Sequence, residues 1–279
     1  MIAVTGATGF VGGRLMARLE AGGEEVRALS REPAHGQVRA DVLDPASLAP
    51  ALEGAQLAYY LVHAIGDPGS FDETEAEGAR NFARAAADTG VTRIVYLGGL
   101  AHGDDLSDHM RSRQEVGRLL GEAGVEVVEL RASIVIGEGS FSWQLVRTLV
   151  DTSPVLPLPD WIDARTQPIG VDDLVEYLVA ARDVPPGVYE IGGADVVSYR
   201  DLLAAYGDGV GRGTVQIGVP VLAEVPRAVS DRLPEDARAA LHLLESLRFD
   251  STVREPATAF AVQPAGLREA IDAALVTSD

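Results

Sequence analysis

The chain has 279 residues, 47% of them hydrophobic and 23% charged, so it can bury a sizeable core and is not globally disordered. It contains no cysteine, which excludes disulfides, thiolate nucleophiles, iron–sulfur clusters and cysteine zinc sites. Its formal charge of −19, from 42 acidic and 23 basic residues, disfavours nucleic acids and anionic membrane surfaces as partners.

Short apolar runs alternate with amphipathic stretches over the first 135 residues. Strands are predicted at 2–4, 25–29, 37–42, 56–62, 93–97 and 125–130, and helices at 13–20, 45–52, 72–88 and 111–122. The run 56–62 is almost entirely apolar, which is typical of a strand buried on both faces. Because strands and helices alternate with short connections, the pattern predicts an α/β fold with a parallel sheet and right-handed crossovers.

The pattern loosens after about residue 136, where Pro154, Pro157 and Pro159 break the chain. A strand is predicted at 188–191, and helices at 171–181, 199–206 and 266–275. We therefore divide the chain into a first domain, 1–135, and a smaller C-terminal lobe, 136–279, that is partly interleaved with it. Some segments of the lobe are expected to return to the first sheet.

The segment 5–12, with the sequence TGATGFVG, joins a predicted strand to a predicted helix. Gly6 permits a tight turn out of the strand, Gly9 lets a pyrophosphate approach the backbone, and Gly12 lets the helix pack close to the sheet. The start of the helix adds free amides and a partial positive charge. This arrangement predicts that the first domain binds a dinucleotide.

The end of the second predicted strand bears on which dinucleotide binds. An acidic residue there accepts a hydrogen bond from a ribose 2′-hydroxyl and favours NAD, whereas an arginine suits a 2′-phosphate. The chain has Ser30 and Arg31 here, and Glu32 is the first acid. The sequence therefore predicts NADP as the cofactor, with NAD as the alternative if Arg31 points to solvent or stacks on the adenine.

Several motifs together resemble those of the atypical short-chain dehydrogenases/reductases, especially their NmrA-like and epimerase-like NAD(P)-binding members. Besides 5–12 and Arg31, they are DV at 41–42, VYLGGL at 95–100, LRA at 130–132, QPI at 167–169 and YEIGG at 189–193. The resemblance covers roughly residues 1–205. It implies a Rossmann-type, doubly wound parallel sheet, with the nicotinamide at the carboxyl ends of the strands and a smaller substrate lobe above it.

The resemblance also implies a set of cofactor-binding residues. The pyrophosphate would be lined by Gly6, Thr8, Gly9, Phe10, Val11 and Gly12; the 2′-phosphate would meet Arg31; the adenine would meet Asp41 and Val42; and the nicotinamide ribose side would meet Leu61, Val62 and His63. Asp41 has an alternative role as a helix-capping or loop acid.

Catalytic members of the wider superfamily use a tyrosine followed four residues later by a lysine, and this chain contains no lysine. The corresponding place reads His109-x-x-x-Arg113, one helical turn apart if a helix begins near Asp108. Histidine, with a pKa of about 6.5, can exchange a proton, and the arginine fork can anchor ribose hydroxyls. His109 and Arg113 are therefore catalytic candidates, and His63 is a second candidate for proton transfer. Each has a structural alternative: a surface histidine, a solvated or cofactor-touching arginine, and a histidine bonded to a backbone carbonyl.

Two functions of different classes fit these residues. The first is an NADP-dependent oxidoreductase acting on a small organic substrate that is uncharged or hydrophobic. The alternative is a non-catalytic dinucleotide-binding protein, serving as a redox sensor or an accessory subunit as some NmrA-like relatives do. A weaker third is an isomerase or dehydratase with a tightly held cofactor. The five histidines show no metal-ligand spacing, so no metal is expected.

The expected location follows from the absence of membrane and secretory patterns, and the sequence leaves the oligomeric state open. No apolar run approaches the roughly 18–20 residues of a membrane helix, and residues 2–4 resemble a core strand, not a secretory signal. We expect a cytoplasmic monomer or homodimer without membrane insertion. All 23 basic residues are arginine, and two explanations of this acidic, lysine-free composition stay open: adaptation to concentrated salt, and a GC-rich genome.

Overall fold

The computed structural model describes residues 1–62, 71–103, 106–219 and 247–276. Its strands are β1 (Ile2–Thr5), β2 (Val26–Ser30), β3 (Val38–Arg39), β4 (Leu57–Tyr60), β5 (Arg93–Gly99), β6 (Glu126–Ala132), β7 (Val135–Ile136), β8 (Val155–Pro159), β9 (Arg165–Thr166), β10 (Ile169–Gly170), β11 (Gly187–Ile191), β12 (Val197–Ser198) and β13 (Val215–Val219). Its helices are α1 (Phe10–Ala21), α2 (Pro45–Leu52), α3 (Phe71–Asp88), α4 (Asp108–Leu120), α5 (Phe141–Thr152), α6 (Val171–Ala180), α7 (Tyr199–Gly209) and α8 (Leu267–Val276), with a short 3₁₀ helix at Asp160–Asp163.

Within the described residues, seven parallel strands form the central sheet, in the order β11-β6-β5-β4-β1-β2-β3. This confirms the predicted Rossmann-type α/β fold. β1 pairs with β2 on one side and with β4 on the other, so the strand order reverses at this point. In open parallel sheets, ligands bind beyond the carboxyl ends of the strands at such a reversal.

Helices cover both faces of this sheet. α2, α3 and α4 pack together on one face, where Phe82 and Leu119 are fully buried. α1 and α6 pack together on the other, where Leu15 and Leu19, four residues apart on one side of α1, are buried. The predicted strands and helices of the first 135 residues are all present, although α1 and α4 begin at 10 and 108 where 13 and 111 were predicted.

The lobe is built around a third core cluster between α5, α7 and α8, which includes Trp143, Leu202 and Ile271. One of its strands lies elsewhere: β11 pairs in parallel with β6 at the edge of the central sheet. The chain thus leaves the sheet after β6 and returns to it for a last strand. The division of the chain at residue 135 stays a prediction.

The sequence pattern did not indicate α5, β8 or β13. Residues 154–159 were expected to break the chain, yet β8 forms a two-stranded parallel ladder with β13. A strand at the edge of a ladder tolerates proline because its outward side needs no hydrogen-bond donor. No helix in the described part of the chain has both the length and the apolar character needed to cross a membrane.

Candidate functional site

The carboxyl ends of the central strands open into a cleft of about 1220 Å³. Its walls come from the turn after β1, the ends of β2, β4, β5 and β6, the first turns of α4, and the lobe segments α5, α7 and 247–251. Sites for one drug-sized ligand typically measure about 300–1,000 Å³. The cleft is therefore larger than a typical site for one drug-sized ligand.

The turn after β1 forms a cradle that has no room for side chains. Gly6 has a φ of 63°, and a Cβ there would lie 2.7 Å from the carbonyl oxygen of Leu61. A Cβ on Gly12 would overlap the carbonyl oxygen of Gly6, because the first turn of α1 lies directly against the loop. Gly9 caps α1 in an extended conformation without a side-chain hydrogen bond, which leaves the amides of the first turn available to an anion.

Phe10 connects this cradle to the lobe. Its ring packs against Gly137 and Gly139. A Cβ added to Gly137 would lie 3.0 Å from the ring, and one added to Gly139 would lie 3.2 Å from it. The guanidinium carbon of Arg14 lies 4.6 Å from the centroid of the same ring, and Arg14 donates to the carbonyls of Phe10 and Glu138 at 3.0 and 2.9 Å. These contacts hold the loop after β7 over the first turn of α1.

Arg31, Asp41 and Val42 line the same cleft. Arg31 directly follows β2 and is exposed. The Asp41 carboxylate accepts from the Leu43 amide at 3.0 Å, and the Val42 carbonyl accepts from the Asn81 side chain at 3.0 Å, so the loop after β3 is well anchored. Which parts of a ligand these residues contact stays a prediction.

Leu61 and Val62, which follow β4, also line the cleft. Thr5 fixes this wall, because its hydroxyl donates to the Tyr59 carbonyl and accepts from the Leu61 amide, both at 3.0 Å. His63 lies outside the described residues, so its role stays a prediction.

His109 and Arg113 occupy the first turns of α4 and both line the cleft. The helix begins at Asp108 because the Ser107 hydroxyl accepts from the Met110 amide at 3.2 Å. A spacing of four residues places His109 and Arg113 on one helix face.

Arg113 is buried, with 8% of its surface exposed, and only part of its guanidinium is paired. Nη2 donates to the Leu97 carbonyl, and the guanidinium carbon lies 5.0 Å from the centroid of the Tyr96 ring. Nη1 has no hydrogen-bond partner among the described residues. A buried donor without a partner is costly, so Nη1 is suited to binding an oxygen of a ligand.

Residues 6–147 match the family model described as NAD(P)H-binding. The chain belongs to this NAD(P)H-binding family. Membership confirms the resemblance to atypical short-chain dehydrogenases/reductases and gives NAD(P) as the class of cofactor.

Individual relatives differ in how much of their length is matched. An uncharacterized protein of Mycobacterium tuberculosis is 30% identical over 233 residues, which are 80% of this chain and 25% of that protein. The ceramide reductase of Caulobacter vibrioides is 28% identical over 196 residues, 66% of this chain and 62% of that one. The structure of MoeE5, solved in complex with UDP-glucose and NAD, is similar to this one with a TM-score of 0.73. The match covers 99% of this chain and 98% of MoeE5 at 19% sequence identity, so it shows a similar fold. The chain thus spans a quarter of the length of the mycobacterial relative.

The residues of the cleft fit an NAD(P) cofactor on two structural grounds. The cradle would be filled by side chains at Gly6 or Gly12, and its free amides suit a diphosphate. Arg113 also lines the cleft, and its unpaired Nη1 suits a ribose hydroxyl.

Glu75 is a cleft residue that the sequence analysis missed. It lies on α3, is 6% exposed, and accepts from the Ser112 hydroxyl at 2.6 Å. Glu75 lies four residues before Ala79 and seven before Phe82, so it shares the buried side of the helix with them. This helical spacing could have identified Glu75 from the sequence.

A cluster of four hydroxyls lies between the sheet and the lobe, formed by Ser133, Thr166, Tyr199 and Ser251. The Ser133 oxygen lies 2.5 Å from that of Thr166 and 2.9 Å from that of Ser251, and the Tyr199 oxygen lies 3.4 Å from Ser251. Burial raises the pKa of Tyr199, and its hydrogen bonds to Ser251 and Thr166 offset this only in part. All members except Thr166 line the cleft. We call this group the hydroxyl cluster.

Proposed function

We propose that this protein is an NADP-dependent oxidoreductase acting on a small organic substrate. The observation that carries the proposal is the shared cleft, which is lined by the glycine cradle, by Arg31 and by Arg113 with its unpaired Nη1. The sequence relation to the ceramide reductase of Caulobacter vibrioides supports a reductase.

The binding roles follow from the geometry of the walls. The amides of the first turn of α1 would hold the diphosphate, and Arg31 would bind the 2′-phosphate. Arg113 would donate Nη1 to a ribose hydroxyl while Nη2 stays on the Leu97 carbonyl, so the residue that fixes the ribose is itself fixed. The bound cofactor supplies or accepts a hydride.

Proton transfer falls to His109 in this proposal. A guanidinium keeps its proton in proteins, so Arg113 cannot exchange one with the substrate oxygen. Tyr60 and Tyr96 do not replace the missing tyrosine, because burial raises the pKa of both, and the Tyr96 hydroxyl donates to the Arg113 carbonyl at 2.9 Å. His109 lines the cleft, and the ring nitrogens of a histidine can donate or accept a proton.

The cofactor preference is tested at Arg31. Arg31→Ala removes the cation offered to the 2′-phosphate, and we expect NADPH affinity to fall about 10- to 100-fold while NADH affinity changes less than about twofold. The matched control is Arg39→Ala, which removes an exposed arginine from the next strand that pairs with Asp44 and does not line the cleft. Fluorescence titration of both reduced cofactors measures the four affinities. An equal loss for NADPH and NADH would contradict the proposal.

The second candidate, a non-catalytic redox sensor or accessory subunit, is favoured by the replacement of the tyrosine–lysine pair by His109 and Arg113. The two candidates separate in one assay, the consumption of NADPH with a panel of aldehydes and ketones. Turnover supports the oxidoreductase. Micromolar NADPH binding without turnover of any compound supports the sensor.

A further inference from the structure

The cleft continues past its cofactor end into the lobe, where its lining changes character. We call this part the lobe chamber, formed by Leu145 and Leu149 of α5, Leu158 of β8, Leu202 and Leu203 of α7, and Phe249. Leu158, Leu202 and Leu203 also belong to the lobe core, so the walls of the chamber are continuous with packed apolar side chains.

Among the described residues, the charged side chains that line the cleft come from its cofactor end. The arginine, acidic and histidine residues that line it, among those the structure describes, are Arg31, Glu32, Asp41, Glu75, His109 and Arg113, all from the first 135 residues. The described residues of the lobe chamber offer no cation to an anionic group. A nucleoside diphosphate placed there would lose its hydration without gaining a charged partner from the described part of the lobe, which is strongly unfavourable.

The hydroxyl cluster lies where the two parts of the cleft meet. Ser133 directly follows β6, beside Leu100, whose amide donates to the Ala132 carbonyl at 2.9 Å. Tyr199 opens α7, the helix that also carries Leu202 and Leu203 into the chamber. Uncharged hydroxyls at this junction can donate to, and accept from, a single uncharged oxygen.

From this division we infer that the substrate is an uncharged molecule with an extended apolar chain and a terminal alcohol or carbonyl. The chain occupies the lobe chamber, and the oxygen lies at the hydroxyl cluster, facing the cofactor end. In the oxidative direction the alcohol carbon gives a hydride to NADP⁺ and its oxygen gives up a proton, yielding a carbonyl, NADPH and H⁺. This inference rests on the proposed function for its redox step, but the binding of the chain does not depend on a cofactor.

The test uses the intact protein and a series of n-alcohols from hexanol to dodecanol, measured by displacement of the uncharged fluorophore 1-aminoanthracene. Affinity is expected to rise about fourfold per added methylene while the chain lies in the chamber, the factor for burial of one CH₂. A flat dependence on chain length, absence of fluorophore binding, or displacement by UDP-glucose overturns the inference. NADPH binding is titrated separately: its failure alongside a clear chain-length dependence removes the proposed function and leaves the chamber assignment standing.

Two arginine substitutions on α5 locate the chain. Leu149 lines the chamber and is 38% exposed, so Leu149→Arg can place a charge at its wall without entering a closed core. Thr148→Arg adds the same charge one residue away, at an exposed position that does not line the cleft. We expect dodecanol affinity to fall at least tenfold in Leu149→Arg and to stay within about twofold in Thr148→Arg, with unchanged NADPH binding in both. Equal effects of the two substitutions would place the chain elsewhere and overturn the assignment.

Discussion

Two adjacent glycines at the start of α1 have very different surroundings. A Cβ on Gly12 would overlap the carbonyl oxygen of Gly6, whereas the nearest atom to a Cβ on Gly13 would be 3.7 Å away. Gly12→Ala must separate the helix from the loop, so we expect lower stability and at least a tenfold loss of NADPH affinity. Gly13→Ala, at an exposed helical position, should gain about 0.5–1 kcal/mol of stability and bind NADPH normally. Thermal melts and NADPH titrations compare the two variants. Equal melting temperatures and equal NADPH affinities would contradict the proposal that the cradle binds the cofactor.

His109 is the residue on which the choice between enzyme and sensor turns. If it passes the proton, His109→Ala should lower turnover of an identified substrate about 10²- to 10⁴-fold and leave NADPH affinity unchanged. The acid or base limb of the rate–pH profile that the imidazole controls should disappear as well. His35→Ala, which removes an exposed histidine that does not line the cleft, serves as the control. Full activity in His109→Ala would show that His109 does not transfer the proton. His63 would then be the remaining candidate, and His63→Ala would test it.

At the scale of elements, β5, β6 and α4 meet around a buried carboxylate. Glu129 is 3% exposed and accepts from the Nε of Arg131 at 2.7 Å. The space for it is provided by Gly98 and Gly117: a Cβ on Gly98 would lie 2.9 Å from Glu129 Oε1, and one on Gly117 would overlap the carboxylate. Burial raises the pKa of Glu129, and the nearby arginines only partly counter this.

The raised pKa of Glu129 sets the sign of a pH effect. The folded state holds this proton more tightly than the unfolded chain does, so the contribution of Glu129 to stability is fully present below about pH 4.5 and is lost as the pH rises through the folded-state pKa. Glu129→Gln does not titrate. Its free energy of unfolding, measured with urea between about pH 4 and 7, should therefore increase relative to the unsubstituted protein as the pH rises. If the free energy of unfolding of Glu129→Gln instead decreased relative to the unsubstituted protein as the pH rises, the pKa of Glu129 would not be raised in the folded state.

The bounds of α2 could be predicted from the sequence, whereas β8, which is stabilised by a distant strand, was missed. α2 was predicted with its observed bounds from Asp44 as an N-cap, but the Asp44 side chain makes no capping hydrogen bond. Instead Pro45 occupies the first turn, and Gly54, with a φ of 77°, follows the end. β8 escaped prediction since Val155 pairs with Val215, and nothing in the local sequence around three prolines shows that partner.

The same distinction applies to the site. The cradle lies within one short segment whose glycines each have a local reason, and it was found. The hydroxyl cluster draws Ser133, Thr166, Tyr199 and Ser251 from four separate parts of the chain, so only the folded arrangement brings it together.

At the scale of the whole molecule, the charge of −19 is the dominant electrostatic feature. Ion pairs such as Arg18–Glu176 and Arg118–Glu115 are exposed and contribute little, so they do not offset the repulsion among excess carboxylates. Raising KCl from about 0.01 to 0.5 M shortens the screening length and should raise the melting temperature by several degrees. The gain should shrink near pH 5, where carboxylates begin to protonate. A melting temperature independent of salt would remove the interpretation that the chain is adapted to concentrated salt.

The position of β11 has a consequence for how the protein is made. β6 is the edge of the sheet until residues 187–191 arrive, and that edge offers a row of unpaired backbone groups to other chains. Ribosomes add about 5–20 residues per second, so the interval between the emergence of β6 and β11 lasts for seconds. During that time the open edge of β6 can pair with a strand of another chain, and the docking of β11 covers it.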